Sequence, residues 1–298
     1  MSTYSIKDLE HLSGIKAHTL RIWEQRYNFI EPKRTETNIR YYDDEDLKLV
    51  LNVSLLKENG YKISKIAQLS LEEMHEEVLR LTEKNLRYQD QIHAMVLAMV
   101  DLDEDRFEKI VATNILQLGF EKTMINVIYP FLSKIGILWQ TGAINPAQEH
   151  FISNLVRQKL VVAIDGQFVA TSENSKKYLL YLPAGELHEL SLLFSNYVIR
   201  SRGGKVIYLG QNLPFEDLEH VYNYHKPDYI LTIITTSPGQ DQVQQYVDRL
   251  GSSFPDSQIL LSGYQVIGQD LAVAENTSIF NKLEDLIEFV EDQKSELA

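Results

Sequence analysis

The chain of 298 residues contains no cysteine. Disulfides and cysteine-ligated zinc are therefore excluded, and a reducing, cytoplasmic setting is consistent with that composition. No apolar run approaches the length of roughly 20 residues that a membrane helix needs, so no membrane partner is expected. The first residues, MSTYSIKD, carry neither a basic n-region nor an apolar h-region, so no signal peptide is expected. No internal repeat and no low-complexity segment is visible. Positive charge is in short supply: 29 Lys and Arg stand against 42 Asp and Glu, a net charge of −13.

That deficit is unevenly spread. Residues 1–70 carry a net charge of +1 and the remainder −14. Within 14–42 there are six bases (Lys16, Arg21, Arg26, Lys33, Arg34, Arg40) and three acids (Glu24, Glu31, Glu36). Basic charge concentrated on one small module is what phosphate binding requires. The acidic remainder should repel a polyanion.

Three segments separate by pattern: 1–72, 73–172 and 177–298. In the first, Ser5 reads as a helix N-cap with Asp8 three residues on, and Gly14 as the stop. A second helix fits Lys16–Tyr27, with Leu20 and Trp23 inward. Pro32 breaks the chain, Ile39–Tyr42 suits a short β wing, and further helices follow from Asp44 and Ser64. This is an all-α winged helix-turn-helix. A recognition helix lays its N-terminal side chains into the major groove, which here offers Lys16, Ala17, His18, Thr19 and Arg21. Arg26 and Tyr27 at the helix end suit phosphate contact, and Arg34, Asn38, Arg40 and Tyr41 on the wing reach flanking phosphates or the minor groove. A small helical domain with a few surface bases would show the same pattern.

The middle segment reads as a four-helix bundle, with helices over Leu71–Val100, Asp103–Leu118, Lys122–Trp139 and Pro146–Phe168. TSENSKK, Thr171 to Lys177, reads as a linker. Beyond it, apolar runs at Tyr178–Leu182, Lys205–Leu209, Asp228–Thr235, Gln258–Leu261 and Thr277–Phe280 alternate with helical patterns. Strands buried on both faces and separated by helices indicate an α/β doubly wound parallel sheet of the flavodoxin-like kind.

Two local motifs carry chemistry. In WQTGAINPAQEH, Pro146 can open a helix. Glu149 and His150 then sit in its first turns, and Trp139 ends the helix before it. The three can converge at one end of the bundle as a lid over a ligand; a packed tryptophan beside a surface Glu-His pair fits equally. In LPAGELHELS, Leu182 to Ser191, His188 follows the first strand of the sheet, where open parallel sheets bind ligands. One ring nitrogen can ligate a metal while Glu186 accepts the proton on the other. A solvated loop histidine is the plain alternative.

The string TLRIWEQRYNFIEPKR…NIRYYDDEDL resembles the MerR family of winged-helix regulators, with Arg40-Tyr41-Tyr42-Asp43 in place of the family's R-Y-Y/F-acidic string. LLKENGYKISKIAQL, Leu55 to Leu69, resembles that family's next helices. The resemblance implies binding of double-stranded operator DNA as a dimer, through Arg21, Arg26, Tyr27, Arg34, Arg40 and Tyr41; Trp23 and Tyr42 are assigned to the core instead, since tryptophan is more often packed than functional. W-x9-EH in a helical cap, followed by an E-x-H motif after the first strand of a doubly wound domain, resembles a cobalamin-binding module. Joined to the head, it resembles the light-responsive, adenosylcobalamin-dependent repressors of carotenoid genes.

That likeness implies His188 as lower axial cobalt ligand, Glu186 behind it, and Trp139, Glu149 and His150 toward the upper ligand. It also implies a homodimer or homotetramer whose assembly on DNA the cofactor controls. The chain departs from the pattern in the channel for the nucleotide tail. Ser191 replaces a glycine, Thr232 replaces a serine, and Ser262-Gly263, followed by bulky Tyr264, replaces a glycine pair. A cofactor-free regulator that kept the fold is one alternative, and a corrinoid carrier for methyl transfer another. An enzymatic role is not expected.

Overall fold

The computed structural model describes residues 3–27, 30–35, 37–84, 88–140, 144–167 and 174–295. The chain divides into two compact units, Met1–Leu155 and Val156–Ala298.

The first unit begins with α1 (Ile6–Ser13) and α2 (Ala17–Tyr27). The Ser5 hydroxyl accepts from the Asp8 N–H while the Ser5 N–H donates to the Asp8 carboxylate, a reciprocal cap. Gly14 closes α1 in the left-handed region at φ 73°, where its N–H donates to the Glu10 carbonyl. The wing is β1 (Lys33–Arg34) antiparallel to β2 (Arg40–Tyr41). Its base is tied to the chain start by reciprocal backbone bonds between Tyr4 and Tyr42 of 2.8 and 2.9 Å. Asp43 then caps α3 (Asp44–Glu58) through the same box with Asp46. Leu9, Leu12, Leu20, Trp23, Leu47 and Val50 are buried. Trp23 and Tyr42 are core residues, as the pattern implies.

α4 (Ile63–Ile66) leads to α5 (Leu71–Lys84) and α6 (Tyr88–Asp101). The helix expected over Leu71–Val100 is described as α5 and α6, and residues 85–87 between them lie outside the described residues. α5 is acidic and amphipathic and packs on α3, whereas α6 is buried from Asp90 to Val100. α7 (Glu104–Leu118) and α8 (Phe120–Thr123) follow, then a π-helical turn (Met124–Ile128) into α9 (Tyr129–Gln140). Pro130 has no N–H to donate and its ring crowds the preceding turn, so the wider π turn accommodates it. α10 (Pro146–Asp165) starts in this unit and ends in the second. It stops short of Phe168, which lies outside the described residues, as do residues 171–173 of the expected linker; Lys177 belongs to a strand.

In the second unit β3 (Lys177–Pro183), β4 (Lys205–Leu213), β5 (Tyr229–Ile233), β6 (Gln258–Ser262) and β7 (Thr277–Ile279) form a parallel sheet in the order β4-β3-β5-β6-β7. Tyr178, Leu180 and Leu182 pack toward α11 (Leu190–Ser201) and α14 (Leu283–Ser295). Leu179 and Tyr181 face α12 (Phe215–His225) and α13 (Gln240–Ser253), as the two-residue strand period dictates. The chain leaves β3 toward one edge and β5 toward the other, so the loops after these strands part and leave a crevice at their carboxyl ends. No helix among the described residues is long and apolar enough to cross a membrane.

Candidate functional site

The crevice is built around one carboxylate. β3 ends at Pro183, and Gly185 turns the loop at φ 82°. A Cβ there would lie 2.9 Å from the Ser237 hydroxyl, so the turn needs glycine. Asn212, the penultimate residue of β4, accepts from the Gly185 N–H at 2.8 Å and donates its own N–H to the Glu186 carbonyl at 3.2 Å. The Glu186 side chain is fully buried. Its Oε2 accepts from the backbone N–H groups of Thr235, Thr236 and Ser237 at 2.8, 2.6 and 3.1 Å, all from the loop after β5. Its Oε1 accepts from the N–H groups of Leu187 and His188, each at 3.0 Å, and from the His188 ring at 2.6 Å.

Burial pushes this carboxyl up, but the bonds from His188, Thr236 and Ser237 outweigh it and hold the group well below the ordinary glutamate range. Glu186 therefore stays ionised, and one carboxylate staples the two loops of the switch point together. With the proton on Nδ1 directed at Glu186, the lone pair of the imidazole is on Nε2. The His188 side chain is 57% exposed. The geometry thus offers a basic, pre-oriented nitrogen donor at the crevice mouth. Among the described residues no group of three or more His, Cys, Asp or Glu side chains is arranged to hold a bare metal ion. A single imidazole suits a metal that arrives with its other ligands already on a macrocycle.

The remaining predicted cofactor residues separate from this centre. Ser191 sits in the first turn of α11, half-buried, and its carbonyl accepts from Ser195. Thr232 is fully buried in β5, and its hydroxyl makes no well-formed hydrogen bond among the described residues. Ser262 donates to the Phe280 carbonyl at 2.9 Å. Gly263, at φ 108°, lies so close to β5 that a Cβ would sit 2.4 Å from the Ile234 carbonyl oxygen. Its lack of a side chain serves backbone packing within the sheet. In the first unit, Glu149 and His150 form a surface pair at 3.0 Å, with the His150 side chain 73% exposed. Trp139 falls at the end of α9, and its side chain lies outside the described residues.

The sequence reading misses Asn212, Thr235, Thr236 and Ser237. A polar T-T-S after an apolar strand is the available signal, since backbone N–H groups in such a turn seek an anion.

On the winged head, His18, Arg21 and Arg26 stand exposed on α2, while Thr19 and Tyr27 are half-buried. Lys16 precedes the helix and pairs with Glu10 at 2.9 Å. The exposed Arg34 and Arg40 oppose each other on the wing, and half-buried Tyr41 opposes Lys33. Asn38 is the turn residue of the wing, at φ 65°, and holds Arg34 through its side-chain oxygen at 2.8 Å. Lys33 is engaged by Asp43 and Asp46. These bonds fix the wing against α3, and among the described residues no ion pair engages Arg21 or Arg40. The Tyr42 hydroxyl donates to buried Glu24, bracing α2 against the wing.

Residues 4–73 match the family model described as MerR HTH family regulatory protein, and residues 91–163 match the B12 binding domain. The chain therefore joins a MerR-type helix-turn-helix to a B12-binding domain, with the parallel sheet following. It is homologous to the HTH-type transcriptional repressor CarH of Myxococcus xanthus, at 26% identity over 93% of this chain and 94% of that one. It is also similar to the repressor CarA of the same organism, at 29% identity over 76% of this chain and 75% of that one. The monomethylamine corrinoid protein of Methanosarcina barkeri shares the fold, with a TM-score of 0.53 at 10% identity over 66% of this chain and 94% of that one.

Proposed function

We propose that this protein is a cytoplasmic transcriptional repressor whose assembly on operator DNA is controlled by adenosylcobalamin. The observation that carries the reading is the Glu186–His188 pair at the switch point, in a chain whose basic charge is confined to a braced winged helix. His188 would hold the cobalt through Nε2. Glu186 fixes its tautomer and raises its basicity, and the loop after β5 holds Glu186 in place. Trp139, Glu149 and His150 would contribute contacts to the cofactor. Bound there, the cofactor supplies a cobalt–carbon bond that light can break. His18, Arg21, Arg26, Arg34, Arg40 and Tyr41 meet the DNA, and homodimers or homotetramers present paired heads to paired half-sites.

The test follows the assembly state by light scattering and DNA binding by mobility shift, with adenosylcobalamin in the dark and after green light. The reading expects a larger species and tight DNA binding in the dark, and loss of both in light. Internal use of Ser262 and Gly263 favours the rival of a cofactor-free regulator. DNA binding that ignores both cobalamin and light would establish that rival. Corrinoid binding with no DNA affinity would establish a carrier instead.

A further inference from the structure

α2 buries Leu20, Trp23 and Glu24. At 3.6 residues per turn the opposite row is His18, Ile22 and Gln25, flanked by Arg21 and Arg26, and all five are exposed. Between Tyr4 and Ser70 the large apolar side chains standing exposed among the described residues are Ile22, at 52%, and Ile39, at 65%. One is on the basic helix and the other on the wing. A scattered exposed isoleucine is ordinary. Ile22 is distinguished by its place at the centre of the outward row, between two arginines, on an element whose inner face is already filled.

Resting on the reading that the head binds DNA, we propose that Ile22 and Gln25 together read a T·A base pair in the major groove. Thymine presents a C5-methyl there, the one apolar feature of the groove, and Ile22 supplies an apolar contact for it. Adenine presents N7 and N6–H, which a glutamine amide matches with two hydrogen bonds. Three residues of helix rise is about 4.5 Å, which lets both side chains reach one base pair. Arg21 and Arg26, on either flank, reach the phosphates that set the helix in its groove.

The experiment selects duplexes from a random-sequence library with the full chain, with and without adenosylcobalamin in the dark. Each thymine of the enriched core is then replaced by deoxyuridine, which lacks only the methyl. The expected result is one thymine per half-site whose replacement weakens binding about fourfold, the worth of one buried methyl. Ile22→Ala should lose a similar factor and no longer respond to that replacement, and Gln25→Ala should relax the choice of base pair at the same position. Both side chains are exposed, so an unchanged circular dichroism spectrum serves as the folding control. Enriched duplexes indifferent to every uracil, or an Ile22→Ala variant that still senses the methyl, overturns this assignment while DNA binding stands. Failure to enrich any duplex overturns the DNA-binding reading and this inference with it.

Discussion

Replacing Glu186 by glutamine isolates what the buried charge does, because shape and volume are nearly kept. In the native loop Oε2 accepts three backbone N–H groups and Oε1 accepts two more plus the His188 ring. An amide has one oxygen. Whichever way it turns, its NH2 group faces donors, and either the Thr235–Ser237 turn or the His188 loop is left without an acceptor. Hydrogen bonds to a charged group are worth about 1.5–3 kcal/mol each, and a buried donor left without an acceptor costs about 1–3 kcal/mol. Such terms are not additive within one network, so the net destabilisation of the second unit should be about 3–4 kcal/mol.

The second unit contains no tryptophan, so no tryptophan fluorescence of its own follows its opening. Hydrogen exchange of the peptide spanning Tyr229–Gly239 does, and it should quicken by about two orders of magnitude or more where exchange follows opening of the unit. Glu186 is held below its ordinary value of 4.5, so its contribution is present above that pH and is lost as pH falls toward the folded value. The gap between wild type and Glu186→Gln should therefore narrow as the pH drops below about 4. Unchanged exchange rates in that peptide at pH 7 would refute the claim that the carboxylate joins the two loops.

Four further outcomes are expected from the geometry. His188→Ala should leave the fold intact and weaken adenosylcobalamin binding about 10-fold or more, read by titration of the visible spectrum; equal affinity removes the ligand role. Arg40→Ala should weaken DNA binding regardless of sequence and reduce the salt slope by about 0.9 for each phosphate that Arg40 neutralises, and an unaltered slope means the side chain points elsewhere. His93 is fully buried in α6, and burial, with Lys134 nearby, lowers its pKa from 6.5 to about 4. The unfolded chain takes up that proton first, so the first unit should lose up to about 3 kcal/mol in urea melts as pH falls from 6.5 to 4, a loss His93→Leu should abolish. Gly263→Ala should cost the second unit at least about 2 kcal/mol, since both φ and the Ile234 backbone oppose a side chain; a wild-type melting profile contradicts this.

Much of this fold is legible in sequence because its signals are local. Ser5 with Asp8 marks the start of α1 and Gly14 its end, and the apolar runs at Tyr178, Lys205, Asp228, Gln258 and Thr277 mark each strand of the sheet to within a few residues. The Glu186–His188 pair is readable because the partners are two residues apart on one loop. The cradle that gives the pair its character is not. Thr235–Ser237 lie about fifty positions away and act through backbone N–H groups, which carry no side-chain signature. Gly263 misleads for a related reason: a glycine needed for strand packing and one needed beside a ligand look alike in sequence.

The claim on which the rest depends is that an imidazole of this chain binds the cobalt. It is tested most directly by the electron paramagnetic resonance of the Co(II) corrinoid complex, using protein labelled with 15N at histidine. An axial histidine nitrogen converts the triplet splitting of 14N into the doublet of 15N, and His188→Ala in the labelled protein should abolish the doublet. A triplet that persists in the labelled wild type, from the cofactor's own base, would contradict the account.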